Sequence, residues 1–360
     1  GAYTYINVIV KYIVRKLVRL LPAVIAAAMS VACDSIIYDD EGDCAPHYKV
    51  RFVYERNLRY VDAFSAEVEE VTLYVVDSST GKVILRKHES GEALSSGDYM
   101  MDVDVPPGTY TLVAWCGPGH TTSFSVGEAV DLTGLTCRLT DRTPTHPVDL
   151  GLDGSAVTGD LQRLYHGKLA DAVFPDSQGT HIFTVDLTKN TNDVHIVLQH
   201  LSGDPVDESR FTFTVTEQNG LMDWDNSLAD DEILTYYPWR QRSGFAGVDV
   251  PDYTSPDENS PRAITAVSAA VADITVGRLM ADRKAMVRIY NDNSELVASI
   301  PLVDYALLVK GRHHQLSDQD YLDYCDDYSM VLFLDDNGRW ANQQIYINSW
   351  HLVIQNVDGM

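Results

Sequence analysis

From Tyr48 onward the chain is a succession of short runs in which apolar and polar residues alternate, each closed by Gly, Pro, Asn or Ser. Lys49 to Tyr54 is one such run, and Val71 to Asp77 another. The second turns at Ser78-Ser-Thr-Gly81 and returns through Val83 to Arg86, which predicts a hairpin. Tyr99 to Val105 stops at Pro106-Pro-Gly108, and Tyr110 to Trp115 resumes the pattern. Prolines cannot donate ladder hydrogen bonds, so they place the break between strands. Residues 141–159 read as a loop, and Gly179 to Asp186 and His195 to Leu201 as strands closing a first sandwich.

A polar, turn-rich stretch, Ser202 to Ser209, then reads as a linker. Beyond it Arg210 to Thr216 alternates cleanly, and Ala263 to Val276 reads as strand. Ala285 to Tyr290, Leu296 to Ile300 and Asp304 to Val309 are further short strand candidates. Asp318 to Tyr324 predicts a short helix capped by Ser317, with Asp320 at its third position. Met330 to Leu334 and Trp340 to Ile347 flank an Asn-Gly turn, a strong hairpin signal, and Ser349 to Val357 is a last strand. This periodicity predicts an all-β chain of two tandem antiparallel β-sandwiches, over residues 48–201 and 202–360.

The residues before Tyr48 have a different texture. Residues 1–32 carry Lys11, Arg15, Lys16 and Arg19 and no acid, and an apolar run from Leu20 ends in small residues before Cys33. A charged start, a short apolar stretch and a small-residue cleavage site are the parts of a secretion signal. The run is shorter than the roughly 18 apolar residues of a membrane-spanning helix. The ending resembles a bacterial lipobox, in which the cysteine is acylated and becomes the first residue. Ser30 stands where that motif has Leu. Cys33 is therefore the candidate lipidation site, with plain secretion or an uncleaved anchor as alternatives. Residues 33–47 form an acidic spacer.

Charge narrows the function. There are 52 acidic and 27 basic residues, a net charge of −25. Such a surface repels nucleic acid. The acidic stretches lack the spaced ligands of a calcium loop, no C-x-x-C points to zinc, and His195 and His200 fall on opposite faces of a strand. No metal or cofactor is expected. Asp223-Trp-Asp-Asn-Ser and Asp230-Asp-Glu232 read as acidic loops rather than a glycosidase pair. No G-x-S-x-G, phosphate-binding loop, G-x-G-x-x-G or H-E-x-x-H occurs, so nothing supports a catalytic residue. With Cys33 set aside, four cysteines remain, an even number that suits an oxidising compartment. Cys116 and Cys137 are the candidate disulfide, because both fall near strand ends.

Several motifs occur in a telling order: Arg51-Phe-Val-Tyr-Glu-Arg-Asn-Leu58, Asp62-Ala-Phe64, Val71 to Asp77, Pro106 to Gly117 and Leu164-Tyr-His-Gly167. Near the end come Tyr328 to Trp340 and Ile347-Asn-Ser-Trp350. The succession resembles the FimB/Mfa-type fimbrillin family, lipoprotein minor subunits of type V pili in Bacteroidales-type bacteria. The resemblance implies transthyretin-like sandwiches and an outer-membrane lipoprotein that anchors a pilus. Its partners would be the pilus stalk subunit, and the membrane through a lipid. Strand edges could join neighbouring subunits, and the strand from Ser349 to Val357 is the candidate contact. A tip adhesin of the same pilus and a surface lipoprotein with a host or glycan ligand are the alternatives.

Overall fold

The computed structural model describes residues 45–117, 123–145, 154–249, 264–335, 338 and 346–347. In chain order the strands open with β1 (Pro46–Val53), β2 (Glu70–Asp77), β3 (Val83–Ser90), β4 (Met101–Val103) and β5 (Gly108–Gly117). Then come β6 (Phe124–Val126), β7 (Cys137–Leu139), β8 (Thr143–Thr145), β9 (Gly154–Val157), β10 (Tyr165–Phe174), β11 (Gly179–Lys189) and β12 (Asn192–His200). The remainder are β13 (Phe211–Glu217), β14 (Leu221–Met222), β15 (Ile233–Tyr236), β16 (Arg240–Asp249), β17 (Ile264–Val276), β18 (Met286–Asn291), β19 (Leu296–Pro301), β20 (Asp327–Leu334) and β21 (Tyr346–Ile347). Three short helices interrupt them: α1 (Phe64–Glu67), α2 (Leu302–Leu308) and α3 (Asp318–Tyr324).

A seven-stranded sheet runs in the order β3-β2-β5-β10-β11-β1-β4. Tyr48, Val50 and Phe52 of β1, with Tyr54 just after it, share one apolar cluster with Val71, Leu73 and Val75 of β2 and Leu112, Ala114 and Cys116 of β5. Strands distant in the sheet therefore wrap a common core. The edges meet as well, where Lys87 Nζ on β3 donates to the Asp102 carbonyl on β4 at 2.8 Å. Curling in this way hides the exposed edges that invite aggregation. Gly167 permits the tight approach of β10 to β11. A Cβ there would lie 2.6 Å from Val185 Cγ1 and 2.8 Å from the Asp186 carbonyl oxygen.

A six-stranded sheet, β19-β18-β13-β15-β9-β8, faces a five-stranded one, β16-β17-β12-β20-β21. Phe213, Val215, Val287, Ile289 and Leu234 from the first meet Val194, Ile196, Leu198, Ala272, Ile274 and Met330 from the second in a single core. The other face of the seven-stranded sheet joins this core through Tyr74, Val113 and Trp115. A three-stranded sheet, β14-β7-β6, adds Phe124, Cys137, Leu139 and Met222.

The division expected at residues 201/202 does not coincide with a sheet boundary. β12 precedes it, yet β12 lies between β17 and β20, antiparallel to one and parallel to the other. β8 and β9 likewise belong to the six-stranded sheet. Alternation tells which residues of β12 face inward but not which strands flank it. The strand expected at Asp304 to Val309 is instead helix α2, whose buried Leu302, Val303, Tyr305 and Ala306 follow a helical spacing. The predicted α3 is present, and the Asp320 amide donates to Ser317 Oγ at 3.0 Å. The terminal hairpin forms where Met330 pairs with Ile347 and Val331 with Tyr346.

Candidate attachment surfaces

Of the residues singled out in the sequence, Cys33 and the strand Ser349 to Val357 lie outside the described residues. β21 nevertheless brings the chain to within two residues of that strand at the edge of the five-stranded sheet. Cys116 and Cys137 are not brought together. Both are free, buried thiols, as is Cys325. Alternation along β5 turns Cys116 into the core of the curled sheet, and it is its neighbour Trp115 that reaches the cluster holding Cys137. Burial raises the pKa of both thiols, so they are unreactive apolar packing groups rather than a crosslink.

The outward end of the five-stranded sheet carries an ordered charge network. Cross-strand register sets Arg240 opposite Asp273, and Asp273 opposite His195. His195 Nδ1 lies 2.8 Å from Asp273 Oδ1, and Arg242 donates to Asp273 Oδ2 at 2.6 Å. The hydrogen bond to Asp273 raises the pKa of His195, against the effect of burial. For Asp273, burial opposes charge, but the bonds from His195 and Arg242 outweigh it and hold the carboxyl below its usual value. Asp193, one row along, accepts two bonds from Arg163 at 3.1 Å. Lys189 at the end of β11 meets Asp326 before β20 at 2.5 Å. Every carboxylate named here has a basic partner, and among the described residues no group of three or more His, Cys, Asp or Glu side chains has metal-binding geometry.

A second surface lies at the far end of β1 from where the chain enters it. Here residues 54–63 form a tightly built loop. Asn57 is 5 % exposed, and its Nδ2 donates to the carbonyls of Tyr54 and Val61 at 2.9 and 2.8 Å while its Oδ1 accepts from the Arg59 amide. Asp62 Oδ1 accepts from the amides of Tyr54 and Phe64. The loop holds Tyr60 at a φ of 53°, left-handed backbone that a tyrosine rarely adopts. In that conformation Leu58, Tyr60 and Val61 all face solvent, with Tyr60 and Val61 each 54 % exposed. The Tyr60 hydroxyl is 3.0 Å from His313 Nδ1, and its ring is 5.5 Å from that of Tyr324 on α3. Sequence reading placed Arg51 to Leu58 and Asp62 to Phe64 among its motifs but did not foresee that Asn57 and Asp62 staple the residues between them. Two short polar residues bracketing Leu58-Arg-Tyr-Val61 were the available signal.

Residues 40–356 match the family described as fimbrillin-A associated anchor proteins Mfa1 and Mfa2. The chain belongs to this family. Its members are fimbrial anchor and adhesin proteins rather than enzymes, which places the chain with cell-surface pili. Among solved structures, a candidate adhesin of Bacteroides thetaiotaomicron VPI-5482 is 28% identical with a TM-score of 0.70, and the match covers 88% of this chain and 100% of that one. A second protein from the same organism, described as polysaccharide binding, is 28% identical with a TM-score of 0.67, covering 85% of this chain and 98% of that one. The fimbrial anchor protein Mfa2 from Porphyromonas gingivalis shares the fold, with a TM-score of 0.61 at 16% identity over 87% of this chain and 100% of that one. No curated protein matches the chain.

Proposed function

We propose that this family member is an outer-membrane lipoprotein that fixes a fimbria to the cell surface through a lipid on Cys33. The observation that carries the reading is the position of the family match. It begins at residue 40, seven residues beyond a cysteine preceded by a basic, apolar, small-residue leader. An acyl chain on Cys33 would hold one end of the molecule in the bilayer. Residues 34–45, fully extended, reach about 40 Å, enough to lift the folded part clear of the headgroups. The role is structural, and contact with the neighbouring stalk subunit uses β-strands. The strand Ser349 to Val357 is our candidate, because β21 delivers the chain to a sheet edge just before it. Deleting 349–357 should release the fimbria from the cell without removing the protein from the membrane. Attachment unchanged by the deletion would rule that strand out.

The anchor reading is tested by Cys33→Ala followed by cell fractionation and lipid labelling. Loss of label, with fimbriae shed into the medium, is the expected result. Full membrane retention of the variant contradicts it. A second reading, a tip adhesin or surface glycan binder, draws on the descriptions of the two 28% identical relatives. Immunogold labelling at the distal end of the fimbria, or binding on a glycan array, would favour it over the anchor.

A further inference from the structure

The charge network on the five-stranded sheet has one member whose charge changes near neutral pH. Asp273, Asp193 and Asp326 each have a permanent cation, respectively Arg242, Arg163 and Lys189. Arg240 also stands opposite Asp273 in the register of β16 and β17. Asp160, which accepts from Thr275 Oγ1 beside Asp193, shares Arg163. The remaining carboxylate, Asp327, is the first residue of β20. Among the described residues its cation within 4 Å is His195, whose Nε2 lies 3.7 Å from Asp327 Oδ1. Arginine and lysine keep their charge from about pH 5 to 8, and an imidazole does not.

His195 is placed to act on three strands at once. It sits on β12, between β17 and β20. Arg242 holds Asp273 ionised, and an ionised carboxylate only accepts hydrogen bonds, so His195 Nδ1 carries a hydrogen. The state of Nε2 then decides what Asp327 meets. With a proton there, the ring is a cation with a carboxylate on either side, and it ties β17 to β20 across β12. Without that proton, Nε2 turns a lone pair towards Asp327. Asp327 is then left with Asp193 opposite it in the ladder and Asp326 beside it in the chain. The end at which β20 begins loses a fastening. The imidazole side chain is 33 % exposed, so protons reach it without the sheet opening. What hangs from β20 makes this matter. The terminal hairpin, in which Tyr346 and Ile347 of β21 meet Val331 and Met330, joins the rest of its sheet through the β12–β20 pair.

We infer that His195 is a proton-operated clasp, which fastens β20 and the hairpin built on it more firmly in acid than in mild alkali. Its partners are carboxylates, so the proton-bound ring is the tight form. Where the segment after β21 meets the next subunit, as proposed above, the same proton sets how firmly that segment is presented; the clasp itself stands without that reading. The test is hydrogen exchange of the purified chain at about pH 5.5 and about pH 8, on either side of the ordinary imidazole range, with rates corrected for the intrinsic effect of pH. Mass spectrometry reads the peptide 327–334 of β20, and the peptide 70–77 of β2 in the seven-stranded sheet is the control for changes of the whole fold. Protection of β20 relative to β2 should fall roughly threefold or more from the lower pH to the higher. His195→Gln keeps a donor for Asp273 but never charges, so its protection should stay at the wild type's alkaline level at both pH values. Asp327→Asn, at a side chain 65 % exposed, is the second variant and should flatten the profile as well. A histidine with a merely structural role would lower protection equally at both pH values when replaced. A wild-type ratio that does not change with pH, or a fall that persists in His195→Gln, overturns the clasp. Either result leaves the anchor reading standing, because Cys33→Ala decides that reading separately.

Discussion

His166 is a histidine that the fold keeps neutral. It is buried beside Trp115, with ring centroids 4.5 Å apart, and its Nε2 lies 2.8 Å from the Trp224 carbonyl, to which it donates. Burial pushes its pKa down to about 3. The unfolded chain takes up that proton near 6.5, so the stabilisation is present above that pH and is lost as pH falls from about 6.5 towards 3. Its full extent is roughly 4–5 kcal/mol. His195 has the opposite sign. Its raised pKa gives a contribution that is present below about 6.5 and disappears as pH rises through its folded value. Urea midpoints measured from pH 7 to 4.5 should therefore fall with acid in the wild type. In His166→Phe the slope should flatten, although the variant starts about 1–3 kcal/mol lower because the Trp224 carbonyl loses its donor. Asn57 can be tested in the same assay. Asn57→Ala strands two carbonyls and an amide in the loop and should cost about 1–3 kcal/mol of stability.

At the scale of elements, the strands were legible because alternate residues along them enter the same core. Val71, Leu73 and Val75 against Lys49 to Tyr54 is a period-2 signal that needs no partner to be read. Partnership was not legible. Nothing in His195 to Leu201 announces that its neighbours are β17 and β20 rather than the strand two residues before it. The helix α2 was misread for a local reason. Over so few residues, a run rich in Leu, Val and Tyr satisfies both periods until packing decides. The candidate disulfide failed because adjacent strand residues diverge to opposite cores, a fact visible only once both cores exist. Gly167→Ala tests the closeness of β10 and β11. With a methyl forced against Val185 and the Asp186 carbonyl, the variant should lose about 1–3 kcal/mol, measured by thermal or denaturant unfolding.

For the whole molecule the important fact is that the seven-stranded sheet is buried on both faces. Tyr74, Val113 and Trp115 belong to the core of the facing sheets, while their neighbours Leu73, Leu112 and Ala114 fill the curled one. The buried Arg278 reinforces this. It pairs with Asp323 on α3 at 2.9 Å and donates to the Asn226 carbonyl at 2.8 Å, and Arg56 approaches Asp323 from the loop after β1. The described residues of 47–176 and 180–347 accordingly fall into one compact unit. Calorimetry should show one cooperative transition for this unit, with near-equal calorimetric and van't Hoff enthalpies; two separable transitions would contradict the shared core. Arg278→Met should lower that single transition, since it leaves the buried Asp323 with the more distant Arg56 as its cation and Gln319 as its hydrogen-bond donor, at a cost of about 3–5 kcal/mol.

The parallel pairing of β12 with β20 also governs timing. Asp193 to His200 must wait for Asp327 to Leu334 before the central pair of the five-stranded sheet can form. A chain threaded across a membrane from its N-terminus would deliver β12 long before its partner. In the interval Val194, Ile196 and Leu198 have no finished core to enter, and closure over so long a loop is slow. Refolding from denaturant should therefore be limited by the arrival of the last third of the chain. Until then the apolar face of β12 has no partner strand to cover it on that side.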